Sequence, residues 1–151
     1  MIRILIAIVL LQVLTGPAEA TLASLIPAAV VIVAAQISDT DYSQTPSDGP
    51  MTAHARVLSA VKGGLKKGQS FRFTETAWVG PNYQTGEIRI LFMESAGLNS
   101  WRVLSNLYAK ADFFIARDAL PHLNVNSLKS VLETLVAPAS KKVLITRDML
   151  K

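Results

Sequence analysis

Cysteine is absent from this 151-residue chain. That excludes disulfide bonds, thiolate metal sites, a cysteine nucleophile and a lipid-modified cysteine anchor. A small exported domain without disulfides must hold together by packing alone, which suits a bacterial periplasm better than an animal secretome. No Asn-x-Ser/Thr glycosylation acceptor is present either. Histidine is scarce: His54 and His122 stand alone, with Asp118 the nearest acid to the second. Zinc needs three or four converging ligands, so both histidines read as solvated side chains. Asp39, Asp41 and Asp48 share one polar stretch. They lack the oxygen spacing and bidentate glutamate of a calcium loop.

Catalytic signatures are missing in the same way. There is no Gly-x-Ser-x-Gly elbow, no Gly-x-Gly-x-x-Gly and no phosphate loop. Glu75, Glu87 and Glu94 have no spacing that requires them to meet. No catalytic residue, metal or cofactor is expected. A long run of one charge is lacking too. Only Lys66-Lys67 and Lys141-Lys142 are adjacent basic pairs, and the formal net charge is +4. A balance this mild favours solubility and weak attraction to anionic surfaces, and does not argue for nucleic acid.

What is present begins with an export signal. Arg3 supplies the positive end, residues 4–14 form an apolar run interrupted by Gln12, and Thr15-Gly16-Pro17 breaks it. Ala18-Glu19-Ala20 then fits a small-x-small cleavage site. The run is shorter than the roughly 20 residues that span a bilayer, so a permanent membrane anchor is disfavoured. Residues 1–20 are expected to be removed after Ala20, leaving 21–151 as one periplasmic or secreted domain. The apolar stretch that follows, 22–35, contains Ser24 and Pro27 and is rich in β-branched residues. It reads as a buried strand.

Further strands follow at regular spacing. Residues 28–37 make a nearly continuous apolar strand, and 38–50 a polar, proline-containing loop. The second strand, 52–62, places Ala53, Ala55, Val57, Ser59 and Val61 on one face and His54, Arg56, Leu58 and Lys62 on the other. A Gly-Gly-Leu-Lys-Lys-Gly turn leads to the third, 69–76, where Phe71 and Phe73 alternate with Ser70, Arg72 and Thr74. A turn-rich loop at 80–86 feeds a fourth, 87–94, with Ile88, Ile90 and Phe92 expected inward and Arg89 outward. Residues 101–106 and 112–116 read as a fifth and a short sixth strand. The period then changes. Leu128, Val131, Leu132 and Leu135 fall on one helical face over about 124–137, with Asn124 or Asn126 as cap, and 142–145 is a possible closing strand.

This order of strands and turns, AAVVIVAAQI, ARVLSAVKGGLKKGQSFRF, GPNYQTGEIRILFMES and WRVLSN, resembles small exported bacterial domains with OB-fold-like barrels. The netrin-like inhibitors of metalloproteinases share that shape. The resemblance covers roughly 28–106 and implies a mostly β fold, a five-stranded OB-like barrel with a C-terminal α-helix. Inhibitors of that kind grip zinc through an N-terminal cysteine. Here the expected first residue is Thr21 and cysteine is absent, so only the fold carries over.

Such barrels bind ligands on an outer face with basic and aromatic groups. Arg56, Arg72 and Arg89, with Trp78 and Tyr83, are therefore the candidate ligand-binding residues. The expected role is a non-catalytic exported binding or interaction module, its partner a protein or an anionic envelope ligand. A protease inhibitor or hydrolase of the envelope is the alternative. The helical stripe is expected to plug the open end of the barrel.

Overall fold

The computed structural model describes residues 22–41, 51–75, 83–104, 111–135 and 141–151. The export signal, with its cleavage site, and Trp78 lie outside the described residues. Among the described residues seven strands form one sheet: β1 (Val31–Asp41), β2 (Met51–Lys62), β3 (Ser70–Glu75), β4 (Ile88–Gly97), β5 (Ser100–Val103), β6 (Ala111–Ile115) and β7 (Lys141–Ile145). The first five run in the order β1-β2-β3-β5-β4, and β1 pairs again with β4, which closes a five-stranded barrel. The neighbours in the barrel are antiparallel except β3 and β5, which run parallel. The fold is therefore mostly β with a closed barrel and a C-terminal helix, as expected.

Two hydrophobic layers explain why β1 and β4 are apolar at nearly every position. Inside the barrel lie Val33, Ala35, Ile37, Ala55, Val57, Phe71, Phe73, Tyr83, Leu91 and Met93. On the outer side of β1, β4, β6 and β7, a second core joins Ile32, Ala34, Ile90, Phe92, Phe113, Ile115 and Ile145 to the helical segments. A strand covered on both faces needs a continuous apolar run rather than alternation.

This arrangement corrects three expectations. Ile90 and Phe92 are buried, but they face the helices and not the lumen that holds Phe71 and Phe73. Arg89, expected outward, points into the buried interior and is 2% exposed. Val61 leaves the lumen to pack on the helical side. Its departure follows a β-bulge, since Ala34 and Ala35 of β1 face Ser59 and Val57 with Leu58 skipped, and the register slips again between Ile32 and Val33. A bulge re-aims the side chains beyond it.

The helices belong to the outer layer as well. Residues 22–28, expected as strand, are helical: a 3₁₀ turn at Leu22–Ser24 and α1 at Leu25–Ala28. Pro27 sits in the first turn of α1, where a missing N–H costs nothing. Lys62 Nζ donates to the carbonyls of Ile26 and Ala29 at 2.9 and 2.6 Å, closing the C-terminal end. Gly63, the next residue, has φ +92°, and a Cβ there would lie 2.6 Å from the Val30 carbonyl oxygen, so only glycine fits. α2 (Val125–Thr134) starts at Asn124, whose Oδ1 accepts from Ser127 N–H at 2.9 Å while Ser127 Oγ accepts from Asn124 N–H at 3.0 Å. Its stripe of Leu128, Val131 and Leu132 packs on the outer core with Leu22, Leu25 and Leu150. The helix covers the wall of the barrel and does not plug an end. β7, expected to close the barrel, instead extends the sheet by pairing parallel to β6.

Candidate functional site

Of the five residues singled out from sequence, Trp78 lies outside the described residues and the other four divide into two places. Arg56 and Arg72 lie on the solvent side of the β2–β3–β5 wall, because their strand neighbours Ala55, Val57, Phe71 and Phe73 fill the lumen. Pairing sets a polar array across this wall: His54 opposite Arg72, Arg56 opposite Ser70, Arg72 opposite Ser100 and Thr74 opposite Arg102. His54, Arg56 and Arg72 are exposed. Arg102, which the sequence reading passed over, joins them and lies 3.5 Å from Glu94, also on this wall. Among the described residues Arg56 and Arg72 make no ion pair. All the described helical segments pack on the opposite side, against β1, β4, β6 and β7. Among the described residues, helical segments cover one face and leave the other, basic face open.

Tyr83 and Arg89 sit elsewhere, at the barrel end where β3 finishes and β4 begins. The Arg89 guanidinium stacks between two rings, 4.1 Å from the Tyr83 centroid and 4.5 Å from that of Phe114. Cation–π contacts of this kind strengthen once water is removed. Glu87 Oε2 accepts from Arg89 Nε at 3.0 Å and lies 2.9 Å from Nη2, while Asp112 Oδ1 lies 3.5 Å from Nη1. Glu87 Oε2 also accepts the Gln84 backbone N–H at 3.0 Å, fixing the turn into β4. The guanidinium is held on its faces and along its edge.

Glu75, the last residue of β3, is the third carboxylate of this cluster and is 1% exposed. The Tyr83 hydroxyl lies near enough to favour its ionised form, yet both carboxylate oxygens are buried without a well-formed hydrogen bond. Burial pushes the Glu75 carboxyl up to about 7, with Asp112 adding to the rise and Tyr83 and Arg89 opposing it. Burial likewise holds the Tyr83 phenol well above its ordinary value. Asp112 is raised by burial, against the pull of Arg89 and Lys142. Composition gave no sign of this cluster. Its one legible trace was an arginine flanked by isoleucines at the start of an apolar strand.

A carboxyl near 7 beside a tyrosine could serve as a general acid or base, but only where a substrate reaches it. Glu75 and Tyr83 are 1% and 2% exposed, buried in the fold. Among the described residues no group of three or more His, Cys, Asp or Glu is placed to hold a metal ion, and no helix is long and apolar enough to cross a membrane. No protein-family model matches the chain, and no curated protein is similar to it.

Proposed function

We propose that this chain is an exported, non-catalytic binding module of the OB-like kind, which takes an anionic ligand of the bacterial envelope on its bare β2–β3–β5 face. The observation that carries the reading is the array of His54, Arg56, Arg72 and Arg102, which no described helix covers and in which, among the described residues, only Arg102 has an acidic partner. Arginines without an ion pair among the described residues keep their donors available, and the planar guanidinium fork suits both phosphate and carboxylate groups. The closed five-stranded order, with β3 parallel to β5, supports the OB-like reading. Export is supported by the signal pattern and by the fold's extent. Leu22, two residues past Ala20, is already a core residue, so cleavage after Ala20 would leave the described core whole.

One experiment tests both halves. Protein recovered from the export compartment should have Thr21 as its first residue by intact mass. Floated with phosphatidylglycerol-containing vesicles it should bind, and with phosphatidylcholine alone it should not. Each basic side chain at an anionic surface contributes roughly 1 kcal/mol, so Arg56→Ala with Arg72→Ala should weaken binding roughly thirty-fold. Retention of residues 1–20 would overturn the export reading, and undiminished binding by the double variant would overturn the face.

A further inference from the structure

Among the described residues, the charge count at this end of the barrel does not balance. One buried guanidinium, Arg89, faces three carboxylates: Glu87, Asp112 and Glu75. Its edge is taken by Glu87 and Asp112, and its two faces by Tyr83 and Phe114. Among the described residues no ion pair reaches Glu75. A carboxylate sealed from water without a counter-ion is expensive, and the group escapes that cost by keeping a proton.

The position of Glu75 gives that proton a mechanical role. Glu75 is the last residue of β3, and Tyr83 stands just before β4, so the contact between them ties the exit of one strand to the start of another. Tyr83 is in turn stacked on Arg89 of β4, which is paired to Asp112 of β6. Among the described residues, the ionisable groups acting on Glu75 are Tyr83 ahead of β4, Arg89 near its start and Asp112 of β6, with Glu87 and exposed Lys142 of β7 acting in turn on Asp112. β1 and β2 contribute Ile37 and Ala53 to the lumen here, neither of which titrates.

We propose that the Glu75–Tyr83–Arg89 cluster is a proton-operated latch. With Glu75 neutral, the end of β3 stays buried against the start of β4. Once ionised, the carboxylate carries a burial cost that Tyr83 and Arg89 only partly offset, and its escape toward water unfastens the two strands. The direction follows from linkage. The folded state holds this proton more tightly than the unfolded chain, whose glutamates titrate near the ordinary value of about 4.3. The stabilisation is complete below that value and is lost as pH rises through about 7.

The test is the thermal midpoint of the full chain between pH 5 and 8, for the wild type, for Glu75→Gln, and for Glu94→Gln as a partly exposed carboxylate control. The wild type and Glu94→Gln should lose stability together as pH rises, while Glu75→Gln should lose distinctly less. Parallel curves for all three would overturn the latch. Should Glu75→Gln fail to fold, the carboxyl carbon of Glu75 in ¹³C-labelled wild type decides, with a midpoint near 7 supporting the latch and one near 4 overturning it. Amide exchange corrected for its intrinsic rate adds the mechanical readout. Above pH 7 it should quicken at β3 and the first half of β4 and not in α2, whereas a uniform rise would mean that the proton stabilises the whole fold without acting as a latch.

Discussion

Arg72 and Arg89 occupy matching places in their strands' sequence patterns, each between apolar neighbours, yet their surroundings differ completely. Arg72 is exposed and, among the described residues, makes no ion pair. Arg89 is enclosed by two rings and two carboxylates. Its removal would leave Glu87 and Asp112 without their cation. Breaking a buried pair from one side costs about 3–5 kcal/mol, whereas an exposed substitution stays within about 0.5 kcal/mol. In urea denaturation Arg89→Ala should therefore lose about 3–5 kcal/mol and Arg72→Ala almost nothing. Equal, small losses would place Arg89 in solvent. The alternation read from sequence treated both arginines as outward, because period two separates two faces without saying which is wet.

β4 carries the clearest lesson at the level of elements. Leu91 faces the lumen and Phe92 the helical layer, both almost wholly buried. Leu91→Ala should cost about 2–5 kcal/mol and Phe92→Ala about 3–5 kcal/mol. A strand with one wet face would give only one large loss, and that result in chemical denaturation would contradict the two-layer core. The strands themselves were legible within a few residues, because turn residues such as Gly63-Gly64 and Gly86 mark their ends and Phe71 and Phe73 alternate cleanly. α2 was legible from its stripe and cap. What the stripe packs on was not, since amphipathicity records that a face is buried and leaves open whether against a barrel's end or its wall. The helical 22–28 segment was lost in an apolar run without visible period. The bulge at Leu58 was equally hidden, being fixed by pairing with β1 and not by local propensity.

Across the whole molecule, burial and charge divide into two sides. Helical segments cover β1, β4, β6 and β7, and β2, β3 and β5 present His54, Arg56, Arg72 and Arg102 to solvent. Of the candidate site, the sequence placed Arg56 and Arg72 on a common outer face. It grouped Tyr83 and Arg89 with them because exposed aromatics and arginines make a binding surface, and their burial depends on contacts with Phe114 and Asp112, distant in the chain. The account as a whole rests on the bare basic wall being the binding surface. The most direct measurement is an amide chemical-shift map of the labelled protein titrated with phosphatidylglycerol-doped bicelles, with undoped bicelles as reference. The account predicts perturbations concentrated at His54, Arg56, Arg72 and Arg102, fading as salt is raised. Shifts concentrated on α2 and the 117–122 turn, or none specific to the anionic lipid, would contradict it.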